Sequence, residues 1–354
     1  MHILTVVGAR PQFIKCAVLS RALQDRATET IVHTGQHFDY GMSERFFEEL
    51  QIPDPKYNLS ISGGLHGEMT ARMMIALEQV FMDERPDIVM VYGDTNSTVA
   101  AAMVAAKLHI PIAHVEAGLR SFNRLMPEEI NRIVTDQVSD LLLCPTQNAV
   151  SLLKKEGRTR GVHFVGDVMF DSVLFNLESA RKDVPRLRDD SYILATVHRP
   201  ENTNDLSRMH NIFSAFSAMP KPVVLPLHPR TKQVIESHDS LHSLVGNNIE
   251  IVAPMSYKEI LVAMADADLV LTDSGGMQKE AYFVATPCVT LRDETEWPET
   301  VEAGANRIVG ADTQKIHAAV DEIVQSPGLG EAEMTGPFGN GQAGQKIADI
   351  ILSN

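Results

Sequence analysis

Three carboxylates stand where a parallel sheet would put them to use. Ile88-Val89-Met90-Val91 runs into Tyr92-Gly93-Asp94-Thr95, and Ile112-Ala113-His114-Val115 runs into Glu116-Ala117-Gly118-Leu119-Arg120. A polar loop then leads to Met126-Pro127-Glu128-Glu129-Ile130-Asn131-Arg132. Asp94, Glu116 and Glu128 therefore fall at strand ends or at a helix start. Ligands of open parallel sheets bind in the crevice outside the carboxyl ends of the strands. Carboxylates gathered in a cleft move protons on an uncharged substrate. The stretch reads as the acid/base wall of an active site. The plainer reading is that Asp94 and Glu128 only cap helices, which Asp-Thr and Pro-Glu do well.

A second group lies in the other half of the chain. Leu271-Thr272-Asp273-Ser274-Gly275-Gly276-Met277-Gln278-Lys279-Glu280 is a strand end, a glycine turn and a helix start. Glycines let backbone approach a ligand, and free N–H groups at a helix start bind phosphate. Glu280, a turn and a half further on, suits ribose hydroxyls. His198-Arg199 and His228 each follow a strand candidate. Arg10 follows the first strand, and its planar fork suits a diphosphate. Lys15 is one turn into the next helix, where its charge faces either the same cleft or solvent.

The elements that position these residues alternate almost throughout. Strand candidates in the first half are Ile3–Val7, Thr30–His33, Ile88–Val91, Ile112–Val115, Leu141–Leu143 and His163–Val165. Helical spacing of Ile14, Val18, Leu19, Ala22 and Leu23 predicts a helix after Pro11. Further helices are expected near Ser43–Leu50, over about 66–84 with Met as core filler, and over Gln147–Lys155. The second half repeats the plan, with strands at Tyr192–Thr196, Val223–Leu227, Ile249–Val252, Leu269–Thr272 and Cys288–Leu291. Helices are expected between them, at about 205–218, 231–239, 256–265, 276–284 and 312–325. A last helix is expected at about Gln345–Leu352. Such alternation specifies an α/β fold with doubly wound parallel sheets. Two Rossmann-like domains are expected. Residues 1–168, joined by the last helix at 343–354, form one, and residues 169–342 form the other.

Composition narrows the function. The chain has 354 residues and a formal net charge of −15, without the basic surface a nucleic-acid binder needs. Cys16, Cys144 and Cys288 are sparse and lie among apolar residues, which suits a reducing cytoplasm. No apolar run approaches membrane length, and Met1–Val7 lacks the basic start of a signal peptide. Metal-ligand spacing, a P-loop and a dinucleotide G-x-G-x-x-G after the first strand are all missing. No metal and no cofactor are therefore expected.

The motifs Gly8-Ala9-Arg10-Pro11-Gln12-Phe13-Ile14-Lys15, Gly93-Asp94-Thr95, His114–Arg120, Pro127–Arg132, His198-Arg199-Pro200-Glu201-Asn202 and Thr272–Glu280 resemble, in order along the whole chain, the non-hydrolysing UDP-N-acetylglucosamine 2-epimerases. The resemblance implies the GT-B fold, cytoplasmic location, a homodimer, and a UDP-sugar and UDP as ligands. It also implies an isomerase without a redox cofactor, serving bacterial surface polysaccharide synthesis. The C2 proton is removed, UDP leaves from C1 to give a 2-acetamidoglucal, and the two are rejoined with the proton on the other face. By position, Asp94, Glu116 and Glu128 correspond to acid/base carboxylates and His198 to the active-site histidine. Lys15, Arg10 and Arg132 fall near the diphosphate and sugar. Ser274, Gly275 and Gly276 form the phosphate turn, and Glu280 the ribose contact. Arg199, His228 and Arg292 are expected at the UDP.

Three departures from the family pattern stand out. Gln12 replaces a typical Glu, Pro200 a typical Arg, and Trp297 another typical Arg. Together with Gln36-His37-Phe38-Asp39, they resemble the branch acting on UDP-2,3-diacetamido-2,3-dideoxy-glucuronic acid. The Arg-Gln pair of allosterically activated members is not found near Gly63-Gly64. The rivals are a hydrolysing 2-epimerase, a GT-B glycosyltransferase and a non-catalytic nucleotide-sugar binder.

Overall fold

The first strand, β1 (His2–Val7), is almost wholly buried, as a strand covered on both faces must be. The structure, a computed structural model, describes residues 1–36, 52–246, 248–325 and 336–354. The helix expected near Ser43–Leu50 and the residues His37, Phe38 and Asp39 lie outside the described residues. The chain forms two compact units, Met1–Ser172 with Pro337–Asn354, and Val173–Gly336.

Unit 1 runs β1, α1 (Arg10–Leu23), β2 (Thr28–His33), β3 (Tyr57–Asn58), α2 (His66–Glu84), β4 (Ile88–Tyr92), α3 (Asn96–Lys107) and β5 (Ile112–Val115). It continues with α4 (Pro127–Val138), β6 (Leu141–Cys144), α5 (Gln147–Lys155), β7 (Val162–Phe164) and the start of α6 (Val168–Asp183). Its seven strands lie in the order β3-β2-β1-β4-β5-β6-β7, all parallel. The order reverses between β1 and β4, so the turns Gly8–Arg10 and Gly93–Thr95 open at the switch point. α2 and α3 cover one face. Met73, Leu77 and Phe81 of α2 and the small Ala100, Ala101, Ala102 and Ala105 of α3 form one core with Val6, Val89 and Val91. Met73 is core filler as expected, whereas Met82 is exposed.

Unit 2 carries β8 (Ile193–Thr196), α7 (Pro200–Thr203), α8 (Leu206–Ser217), β9 (Val223–Pro226), α9 (Pro229–Glu236), α10 (Asp239–His242) and β10 (Ile249–Val252). Then come α11 (Tyr257–Asp266), β11 (Leu269–Thr272), α12 (Gly275–Phe283), β12 (Cys288–Thr290), α13 (Pro298–Glu302), β13 (Asn306–Ile308) and α14 (Thr313–Gln325). The six strands are ordered β10-β9-β8-β11-β12-β13, again parallel. Here the order reverses between β8 and β11, whose ends carry Val197–Arg199 and Asp273–Gly275.

The last helix, α15 (Ala343–Leu352), belongs to unit 1 and packs on α1. Its first N–H groups have no partner within the helix. Asp171 supplies one, accepting from Ala343 N at 3.0 Å and Gly344 N at 2.8 Å. Ile347 and Ile351 are fully buried, each worth roughly 1.5–3 kcal/mol.

The sequence reading missed β3, β13 and the short helices α7, α10 and α13. Two to five residues are too few to display a period. It also left α6 unassigned.

Candidate active site

Beyond β4 the chain turns at Gly93, whose φ of +61° lies in the left-handed region. A Cβ there would lie 3.3 Å from Glu116 Oε2 and 3.7 Å from Lys15 Nζ. Glycine thus leaves room for an ion pair between the Lys15 ammonium and the Glu116 carboxylate, with Lys15 itself buried. Glu116 too is held in the left-handed region, at φ +69°. For a residue with a side chain this is a strained conformation of the kind that clusters at functional sites. Its N–H donates to Leu143 O at 3.0 Å, which fixes the turn on β6.

Asp94 is ion-paired with Arg132 of α4, and its carbonyl accepts from Asn131 Nδ2 at 2.9 Å. Arg132 also binds Glu129 Oε2 at 2.7 Å. Glu129 is buried and gathers the loop before α4: it accepts from Ser121 N at 2.9 Å, Ser121 Oγ at 3.0 Å and Phe122 N at 3.0 Å. Burial works against its ionisation, but the Ser121 and Phe122 donors and Arg132 hold its carboxyl below the usual range. Glu128, one residue earlier, is exposed.

Replacing Glu129 by Ala is expected to cost about 1–3 kcal/mol, because water can reach only part of what it leaves behind. Folding lowers its pKa, so its contribution is complete above the ordinary glutamate value of about 4.3 and is lost as pH falls through the folded value. Urea unfolding of both proteins across this pH range checks the claim. A difference that does not shrink in acid counts against the ion pair.

Gln12 explains one departure from the family pattern. Its Oε1 accepts from Gly8 N at 2.8 Å and Ala9 N at 3.0 Å, while its Nε2 donates to Tyr92 O at 2.8 Å. A carboxylate could take the first two bonds but has no hydrogen for the third. The amide therefore ties the β1 and β4 turns together. Arg10 opens α1; its side chain lies outside the described set.

In unit 2 the fully buried Asp273 is the organising group. It accepts from His198 N at 3.0 Å, Arg199 N at 2.9 Å and Asn202 Nδ2 at 3.1 Å, and His198 Nδ1 lies 3.4 Å from it. Asn202 also donates to Leu291 O at 3.0 Å, so the ends of β8, β11 and β12 are joined. The rings of His198 and His228 are 5.2 Å apart. Burial lowers the pKa of His198; Asp273 opposes this, while His228, Arg199 and Arg230 add to it.

The Ser274 hydroxyl caps α12, accepting from Met277 N at 3.4 Å. A Cβ on Gly275 would meet Glu296 Oε2 at 3.0 Å and Arg199 Nη2 at 3.6 Å. Arg292 Nη1 holds both Glu296 oxygens at 2.9 Å. The Arg199 guanidinium and a carboxylate held by Arg292 therefore stand at a helix start, where a phosphate that displaced the carboxylate would meet two guanidinium groups and free N–H groups. Glu280 lies buried on the same helix. Trp297 explains a second departure: its Nε1 donates to Gly275 O at 3.0 Å, and the Lys279 ammonium lies 3.8 Å from its ring centroid. The indole braces the glycine turn.

Unit 1 thus brings Lys15 to Glu116 and Arg132 to Asp94. In unit 2, His198, Arg199, His228, Ser274, Gly275, Gly276 and Arg292 follow the ends of β8, β9, β11 and β12, and Glu280 lies within α12. His114, Glu129 and Asp273 stand in the quoted motifs without a role of their own, and Asp136 lies outside them. Asp273 had a visible signal, a charged residue between a buried strand and a glycine turn. Among the described residues no three His, Cys, Asp or Glu side chains come together as a metal site, and no helix is long and apolar enough to cross a membrane.

Comparison with known proteins gives this geometry a family. The family described as UDP-N-acetylglucosamine 2-epimerase matches residues 21–352. The UDP-2,3-diacetamido-2,3-dideoxy-D-glucuronate 2-epimerase of Pseudomonas aeruginosa is 51% identical over 363 residues, covering 99% of each chain. The UDP-N-acetylglucosamine 2-epimerase of Methanocaldococcus jannaschii is 43% identical over 366 residues, again covering 99% of each. The solved structure of UDP-GlcNAc 2-epimerase from that archaeon superposes with a TM-score of 0.89 at 41% identity over the whole of both chains. The Neisseria meningitidis enzyme bound to UDP-GlcNAc gives 0.85 at 31%, also over the whole of both chains. The two parallel-sheet units are those of the GT-B fold. With the motifs in order, both sheets reversing at the motif-bearing turns, and relatives matched from end to end, the chain belongs to the UDP-N-acetylglucosamine 2-epimerase family.

Proposed function

We propose that the protein inverts C2 of a UDP-linked 2-acetamido sugar without hydrolysing it. The observation that carries this is the pair of strand-end carboxylates, Asp94 and Glu116, each joined to a cation at neighbouring turns of one sheet. One protonatable group takes the C2 hydrogen as a proton. The electron pair forms the C1=C2 bond, and the C1–O bond breaks towards UDP. Re-addition runs the same steps backwards with the proton delivered to the other face, so nothing is oxidised or reduced. Inversion needs two proton carriers, and the departing diphosphate needs positive charge. Arg199, Arg292 and the N–H groups of α12 supply that charge in this reading, and His198 a hydrogen bond. Lys15 and Arg132 orient the carboxylates.

The substrate favoured is UDP-2,3-diacetamido-2,3-dideoxyglucuronate. The Pseudomonas relative carries that name, and Gln12, Pro200 and Trp297 depart from the plain UDP-GlcNAc pattern. UDP-GlcNAc is the second reading, supported by the names of the Methanocaldococcus and Neisseria relatives.

NMR in D2O with each sugar nucleotide tests both. Deuterium at C2 with a UDP-linked manno product is expected, faster from the diacetamido uronate. Accumulating free UDP would make the enzyme a hydrolysing epimerase, and a C2 proton retained in both sugars would end the reading.

A further inference from the structure

His114 is a polar residue in the middle of an apolar strand, and it is fully buried. From the strand that leads to Glu116, its ring reaches the turn that carries Asp94 and a carboxylate of α4. Nε2 lies 2.7 Å from Gly93 O, and Nδ1 lies 2.7 Å from Asp136 Oδ1. A carbonyl only accepts, so Nε2 carries a hydrogen. Burial works against ionisation of Asp136, yet His114 and Arg120 hold it below the usual carboxylate range, so the Nδ1 side of the ring faces a fixed carboxylate.

Asp136 is itself fixed. It accepts from Arg120 Nη1 at 2.7 Å and Gly118 N at 3.2 Å, and Arg120 binds Glu156 at 2.7 and 2.8 Å. The ring therefore hangs from an ionic frame of Asp136 on α4, Arg120 in the loop before it and Glu156 just past α5. At its other end is the peptide that joins Gly93 to Asp94. The Gly93 N–H donates to Val115 O at 3.0 Å, so His114 supplies the second tie of the same residue. Gly93 also lies directly beneath the Glu116 carboxylate and the Lys15 ammonium.

We propose that His114 is a positioning residue for proton transfer, holding the Gly93 carbonyl so that Asp94 and Glu116 keep a fixed relative orientation. The inference rests on the reading of Asp94 and Glu116 as proton carriers. His114 touches no substrate; it acts through the turn. A misplacement of about 1 Å at a reacting group costs on the order of 10²-fold in rate.

The test compares H114Q with H114N in the full-length protein. The Gln amide reaches about as far as Nε2 and keeps a donor for Gly93. The Asn amide reaches about as far as Nδ1 and keeps only the Asp136 contact. Both are expected to lose similar thermal stability. H114N is expected to lower kcat for C2 exchange by about 10²-fold, with KM and UDP affinity little changed. H114Q is expected to recover most of that loss. Equal kcat in the two variants, or kcat falling in step with stability, would overturn the inference.

D94N and E116Q serve as controls. If they exchange normally, the reading of the site falls and this inference with it; if they are dead while H114N equals H114Q, only the inference falls. Should neither His114 variant fold, 15N-histidine labelling of the wild-type protein decides. A solvent-protected ring with a hydrogen on Nε2 is expected, and a buried ring without an Nε2 hydrogen overturns the proposal.

Discussion

Asp94→Asn and Glu116→Gln are each expected to lower turnover by about 10²–10⁴-fold, the range for loss of a positioned acid or base. UDP affinity is expected to stay within a few-fold of the wild type, because neither side chain belongs to the unit 2 turn. The two variants should differ in stability. Arg132 still has Glu129 after the Asp94 change, whereas Lys15 is buried and loses the ion-pair partner held beside it. Removing one member of a buried pair leaves the other charge uncompensated. The Glu116 variant should therefore melt lower. Exchange at C2, UDP titration and thermal unfolding of both variants give the three readouts. Turnover within tenfold of the wild type in either protein would remove that carboxylate from the mechanism.

Asp273→Ala is expected to cost about 3–5 kcal/mol, the largest stability effect foreseen for unit 2. The carboxylate is wholly buried and accepts from two backbone N–H groups and the Asn202 amide. An alanine leaves these donors facing a space with no acceptor. Asp273→Asn should fall between the two proteins, because its amide nitrogen must oppose one of the donors. UDP affinity should drop along with stability, since His198 and Arg199 are held in place by their own N–H bonds to Asp273. Calorimetry with and without UDP measures both. An Asp273→Ala protein that melts with the wild type would show that the turn is organised by something else.

Much of this was legible in the chain. Strands buried on both faces are continuous apolar runs, so β1, β4, β5, β6, β8 and β11 stand out, and the groups following them mark the switch points. Neighbouring glutamates were harder. Glu128 and Glu129 open α4 side by side, and spacing puts them about 100° apart around the helix axis. Only tertiary packing decides which turns inward. Glu129 is the buried one, tied to Ser121, Phe122 and Arg132. The roles of Gln12 and Trp297 were illegible for another reason. Each bonds a backbone carbonyl far away in sequence, Tyr92 O and Gly275 O, and a carbonyl leaves no mark in the amino-acid code. His114 combined both difficulties. It sits on a strand whose apolar neighbours gave it away as buried, yet its partners come from a turn and a helix elsewhere.

Unit 1 is assembled from two separated stretches of chain, and unit 2 from one. This sets an order of events on the ribosome. Translation delivers the seven-stranded sheet first, but α15, which packs on α1 and brings Gly344 up against Val18, is made only after all of unit 2. At about 5–20 residues per second, the α1 surface waits on the order of 10–30 s for its cover. During that interval the nascent chain presents an apolar helix face beside a nearly finished sheet, which is what a chaperone binds. A product that ends before α15 is therefore expected to aggregate more readily than the full chain, and supplying the missing helix as a separate peptide is the direct way to rescue it.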